Sequence, residues 1–231
     1  MLKSAIAVTL SIAAGRGAVV LAGIVISNSL GAAAFAAFAF VHLTATSLSN
    51  IATVGMQNAL PRYFARLAVD DKVEALSHTI MSLLFASIGL SLAVLAVAVM
   101  SREVIGLPEP ATKIMLALLL LAVGMNNLSI GATNGLERFA DVTIAALFQG
   151  GILLVAAGLA VYSGQMVVAL WGYIVGTLIA IGILLPPILK VVMGRLQGQS
   201  EKLDRACARD VAFFCGPLLL AGTLTNSGLW L

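Results

Sequence analysis

The chain reads as an all-α, polytopic membrane protein: six transmembrane helices forming one lobe, followed by the start of a seventh. Two observations carry this reading. Of 231 residues, 61% are hydrophobic and only 10% charged, with a mean hydropathy of +1.07; soluble domains average about 25% charged. The apolar residues also gather in runs of about 20 to 26, the length a helix needs to cross roughly 30 Å of hydrocarbon. No alternating pattern of the outer-membrane barrel type appears.

The runs occupy 5–26, 33–58, 75–100, 114–130, 142–162, 166–192 and 211–231. In the first, Arg16 interrupts any small-residue cleavage pattern after the opening Met-Leu-Lys, so the segment is read as an uncleaved first helix. Arg16 lies ten residues from Ile6 and ten from Ile26, which places it about 15 Å from either end of the run. An arginine at mid-bilayer costs about 2.5 to 3.5 kcal/mol on insertion scales, so it is expected to face protein, water or a ligand. Thr9, Ala13, Arg16, Val20, Gly23 and Ser27 recur at three- and four-residue steps and give this helix a small-and-polar stripe.

The second run carries a stronger stripe. His42, Thr46, Ser49, Asn50, Thr53 and Gln57 fall on one helical face. With Arg16, they read as the wall of a cavity, although the same residues also suit hydrogen bonding between helices. Pro61 is expected to end or bend this span. Arg62, Tyr63, Phe64 and Arg66 then form a basic-aromatic collar at the headgroups, and Asp70, Asp71, Lys72 and Glu74 a solvated turn.

In the third span, His78 and the serines read as packing groups. Pro108 and Pro110 exclude a continued helix in the loop that follows. The fourth span is apolar until Asn126, Asn127 and Ser129; Asn126 joins the candidate cavity residues, with helix-packing hydrogen bonds as its other reading. Gln149-Gly150-Gly151 in the fifth span and Gly172 with Gly176 in the sixth let helix backbones approach closely. Ser163-Gly164-Gln165 makes these two spans a tight antiparallel hairpin. Trp171 and Tyr173 are expected in an aromatic belt near the boundary, and Pro186-Pro187 to kink the sixth span. The composition switches to Gly, Gln, Ser and mixed charge from Met193 on, so the domain reading is a six-helix unit over 1–192, a basic linker over 193–210 and a further helix begun over 211–231.

With the amino terminus inside, the inner segments hold ten lysines and arginines and the outer ones only Arg102 and Lys113. The positive-inside rule thus orients the amino terminus to the cytoplasm. Topology accounts for most of the net charge of +3, so the expected partner is membrane lipid and not nucleic acid. Cys207 and Cys215, with two histidines in the whole chain, suggest neither a disulfide framework nor a metal site. There is no phosphate loop and no nucleophile with a base at usable spacing, so neither an enzyme nor a cofactor is expected. No complete span holds an aspartate or glutamate, Asp141 being at a helix start. Cation exporters coupled to protons or sodium are expected to hold one, so an anionic substrate fits better.

The block from Gly15-Arg16-Gly17 to Ser29-Leu30-Gly31 and the run Gly55-Met56-Gln57-Asn58-Ala59-Leu60-Pro61-Arg62-Tyr63-Phe64 resemble the amino-terminal half of the oligosaccharide and polysaccharide flippases. These are the O-antigen-type exporters, in the superfamily that also holds the lipid II flippases and the multidrug and toxin extruders. The resemblance covers the whole chain but half of a two-lobe fold, and makes the helix begun over 211–231 the first of a second lobe. It implies a bacterial inner-membrane transporter that carries an undecaprenyl-pyrophosphate-linked oligosaccharide outward by alternating access, for surface polysaccharide such as the O-antigen of lipopolysaccharide. Polymerase or ligase enzymes of that assembly are the partners it implies. Cavity arginines in lipid II flippases are thought to meet the pyrophosphate, and the first-span one falls at Arg16; the others have no counterpart inside a span here. The alternatives are a multidrug-type exporter of the same fold and a truncated, non-transporting membrane protein.

Overall fold

The computed structural model describes residues 2–69 and 110–196. The expected span 75–100, most of the linker and 211–231 lie outside them. The described residues form five helices and no strand: α1 (Leu2–Leu30), α2 (Ala32–Val69), α3 (Pro110–Gly135), α4 (Phe139–Ser163) and α5 (Val167–Leu196). All five are long and apolar enough to cross a membrane, and the protein is an all-α, multi-pass membrane protein.

Two turns show how the chain reverses. Gly31 alone separates α1 from α2, at a φ of 87° that a side chain would resist. Gly164 caps α4 at a φ of 70°, and the N–H of Gln165 reaches back to the Ala160 carbonyl at 3.1 Å. This six-to-one bond closes the exposed carbonyl end of the helix and produces the expected hairpin. At the other end of the bundle, α3 and α4 are joined through Glu137, and Arg138 pairs with Asp141 at 2.6 Å. Asp141 sits in the first turn of α4, where a carboxylate meets the positive end of the helix dipole.

The helices close a ring in the order α1, α4, α5, α3, α2 and back to α1, with α1 and α2 touching least. Near the Gly31 and Gly164 turns the ring is filled by a dry plug in which Ile26, Phe38, Val41, Leu119, Leu120 and Leu170 are all buried. A smaller cluster of Val142, Ala145, Ala180 and Leu184 joins α4 to α5 at the opposite end. Between the two, the centre of the ring is polar.

Proline does not stop α2. The helix continues through Pro61 to Val69, although Pro61 has no N–H to offer the Gln57 carbonyl one turn back. The neighbouring helix explains the tolerance. α3 lies so close that a Cβ on Gly131 would fall 2.8 Å from the Gln57 oxygen, and one on Gly135 would fall 2.6 Å from the Pro61 oxygen. The freed backbone is therefore covered by the bare surface of α3 and kept from lipid, where an unsatisfied carbonyl would be costly. Similarly, α5 stays helical through Pro186 and Pro187, and Pro110 opens α3 as its first residue, a position proline suits. Gly172 and Gly176 do bring α4 and α5 together, against Ala156 and the Gln149 backbone.

Gly135→Ala is expected to destabilise the protein by about 1 to 3 kcal/mol through overpacking at the α2–α3 crossing. Gly158→Ala, where a Cβ would meet nothing within 4 Å, is expected to be neutral or stabilising by up to about 1 kcal/mol. Thermal unfolding of the two variants in the same detergent checks the pair.

Candidate functional site

The polar centre of the ring holds a cavity of about 490 Å³, to which α1, α2, α3, α4 and α5 all contribute. α1 supplies Gly15, Arg16, Val19 and Val20, and α2 supplies His42, Thr46 and Gln57. Asn126 and Asn127 come from α3, Gln149 and Gly150 from α4, and Tyr173 from α5. The size is within the range of about 300 to 1,000 Å³ typical of ligand sites. Val123, Leu153 and Tyr173 of the buried cluster near the Gly31 and Gly164 turns also line the cavity, so apolar core borders it on that side.

Arg16 sits at the middle of α1, fourteen residues from either end of the helix. The apolar stretch of α1 runs Ala13–Leu30, which shifts Arg16 from the expected centre of the span towards its amino-terminal end. Arg16 is exposed and lines the cavity. Among the described residues no aspartate or glutamate lines the cavity with it and no ion pair involves Arg16, so the one formal charge they place on the wall is positive.

The remaining polar groups are fixed by neighbouring helices. His42 stacks on Phe38, with ring centroids 6.1 Å apart, and meets the Tyr173 ring edge-on at 4.9 Å. The Thr46 hydroxyl donates to the His42 carbonyl at 2.7 Å. The Gln149 side-chain amide donates to the Thr177 hydroxyl at 2.8 Å, and that hydroxyl donates to the Tyr173 carbonyl at 2.8 Å; this chain anchors the α4 wall to α5. Six side-chain atoms are buried without a hydrogen-bond partner among the described residues, and two of them, His42 Nδ1 and Asn126 Oδ1, belong to residues lining the cavity, although neither atom is itself exposed at the wall.

The structure brings five of the eight expected residues to this cavity: Arg16, His42, Thr46, Gln57 and Asn126. Ser49, Asn50 and Thr53 are not part of its lining. Ser49 and Thr53 are fully buried in protein, and the Thr53 hydroxyl donates back to the Ser49 carbonyl at 2.8 Å. Asn50 accepts a hydrogen bond from the Asn127 amide at 3.1 Å, so it joins α2 to α3. All six residues of the α2 stripe share a face, but over 49–53 that face is taken up by protein.

Three cavity residues were not expected as such. Tyr173 is buried beside His42 and is no belt residue; Trp171, two positions earlier, is exposed. The alternation between them is the helical signal that separates the two. Asn127 and Gln149 reach the wall while also bridging helices.

With Cys207 and Cys215 replaced by serine, Thr46→Cys and Gln57→Cys are expected to react with a membrane-impermeant cationic thiol reagent applied from one side of the membrane only. Thr53→Cys, buried in protein, is expected to stay unmodified. Mass spectrometry of the labelled protein checks both.

No curated protein and no solved structure matches the chain. A family model described as polysaccharide biosynthesis protein matches residues 1–225; the chain, a multi-pass membrane protein with a polar, singly cationic cavity inside its helical ring, belongs to that family.

Proposed function

We propose that the protein takes part in flipping a lipid-pyrophosphate-linked oligosaccharide across the bacterial inner membrane, for surface polysaccharide biosynthesis. The observation that carries this reading is a guanidinium, unpaired among the described residues, on a largely apolar cavity wall whose other polar groups are hydroxyl, amide and imidazole. A pyrophosphate crossing hydrocarbon needs a compensating charge, and guanidinium matches its oxygens with a planar fork of donors. Sugar hydroxyls both donate and accept, so they suit the Thr46 and Gln57 side chains on the wall. The prenyl chain needs no polar site and stays in the apolar phase.

The amino terminus is taken as cytoplasmic, from the distribution of basic residues. In that orientation the Gly31 and Gly164 turns lie on the outer side and the turn between α3 and α4 on the cytoplasmic side. Arg16, displaced towards the amino-terminal end of its apolar stretch, meets the headgroup early in its passage. Opening the plug while closing the cytoplasmic mouth would complete alternating access. The protein acts as a transporter and not an enzyme, with the polymerase or ligase of polysaccharide assembly downstream of it. A cationic drug is a poorer fit, because no carboxylate lines the wall to replace its hydration.

Arg16→Ala is expected to abolish surface polysaccharide and to cause the lipid-linked intermediate to accumulate in the inner leaflet. Arg16→Lys keeps the charge but loses the bidentate geometry, and is expected to retain activity lowered by about tenfold, corresponding to roughly 1.4 kcal/mol. Comparable membrane abundance of both variants, with unchanged export in Arg16→Ala, would contradict the reading.

A further inference from the structure

Three seams of the ring are closed by glycine. Gly131 and Gly135 bring α3 onto α2, Gly172 and Gly176 bring α5 onto α4, and Gly150 brings α4 onto Ala14 and Ala18 of α1. The α1–α2 seam is different. It contains a groove of about 410 Å³ that shares Val19, Val20 and His42 with the polar cavity. Its sides are the exposed side chains of Val20, Ile24, Phe35 and Leu43, and Phe38 is buried beneath them. Gly23 lets the Phe35 ring lie close, at 3.0 Å from the place of a Cβ. Ser27 and Asn28 are at the far end, beside the Gly31 turn.

The dimensions and the ends of this groove decide what it suits. From Val19 to Asn28 is nine residues, or about 14 Å of helix, close to half of a hydrocarbon core about 30 Å thick. It therefore runs from the polar cavity to the polar residues of the boundary through one leaflet. It is apolar along its length and polar at both ends, and it lies on the seam of the ring at which neighbouring helices touch least.

We propose that the α1–α2 groove seats the prenyl chain of a polyprenyl pyrophosphate whose headgroup is held at Arg16. The proposal rests on the flippase reading for its ligand and adds the path of the chain. A headgroup inside the ring can keep its chain in the apolar phase only if the chain leaves between two helices, and this seam provides that exit. A bulk phospholipid has its phosphate at the boundary and no reason to enter by the cavity end, so its chain is the competing occupant that the test must separate.

The full-length protein, reconstituted in phosphatidylethanolamine and phosphatidylglycerol vesicles, carries benzoylphenylalanine at Leu43 or Ile24 in the groove, or at Leu178 on the exposed face of α5. The probe is undecaprenyl pyrophosphate with an alkyne on its chain, and headgroup binding is measured separately by protection of Gln57→Cys from thiol labelling. Crosslinking at Leu43 and Ile24 is expected at about tenfold above Leu178, the ratio that preferential seating of about 1.4 kcal/mol produces. It should be competed by untagged undecaprenyl pyrophosphate and lost in Arg16→Ala. Equal crosslinking at all three positions, or competition by added phosphatidylglycerol, overturns the groove. If Gln57→Cys is still protected in that case, the flippase reading survives without it. Absence of both protection and crosslinking overturns the two together.

Discussion

The energetic cost of a guanidinium in hydrocarbon is the constraint around which this bundle is built. Arg16 is an always-charged group inside the apolar stretch Ala13–Leu30, and an arginine facing lipid costs up to about 2.5 to 3.5 kcal/mol at the bilayer centre on insertion scales. No carboxylate among the described residues offsets that cost by pairing. What the fold provides is a polar hollow, walled by side chains from all five described helices. In a ring filled throughout like the plug, Arg16 would have no place.

Holding such a hollow open requires firm walls, since helices in lipid gain no hydrophobic free energy from association and depend on close packing and hydrogen bonds. The glycine contacts supply the packing. Asn127 to Asn50 and Gln149 to Thr177 supply hydrogen bonds across two of the same seams, each worth about 0.6 kcal/mol on average in membranes. These amide pairs border the cavity and also fix the helices that form it. Such a wall is polar enough to stay wet and stiff enough not to collapse on Arg16. Against it, the weakly packed α1–α2 seam marks where the lobe can admit a chain or move.

Much of this was legible from residue spacing. The period of the apolar runs locates all five described helices, and the three- and four-residue steps of polar residues on α1 and α2 identify the helices that face the hollow. Gly172 with Gly176 forecasts a close seam because only the spacing matters for it. What spacing could not supply is depth and partner. Ser49, Asn50 and Thr53 share an angular position with His42 and Gln57, yet an adjoining helix covers them. Tyr173 looked like a boundary aromatic until the packing turned its ring onto His42. Pro61 looked like a stop because its missing hydrogen bond is local, whereas the glycine surface that shelters it is 70 residues away in sequence.

The central claim is that the Arg16 guanidinium meets a phosphate within a wet cavity. A direct measurement is magic-angle-spinning NMR of the full chain in bilayers made with ether-linked, phosphate-free lipids, detecting nitrogen–phosphorus dipolar coupling between labelled arginine and bound undecaprenyl pyrophosphate. The account predicts a coupling that reports direct hydrogen bonding, with N-to-O separations of about 2.7 to 2.9 Å, which disappears in Arg16→Lys at the guanidinium frequency. A bound pyrophosphate with no coupling to any guanidinium, alongside arginine-to-acyl-chain contacts for Arg16, would contradict it.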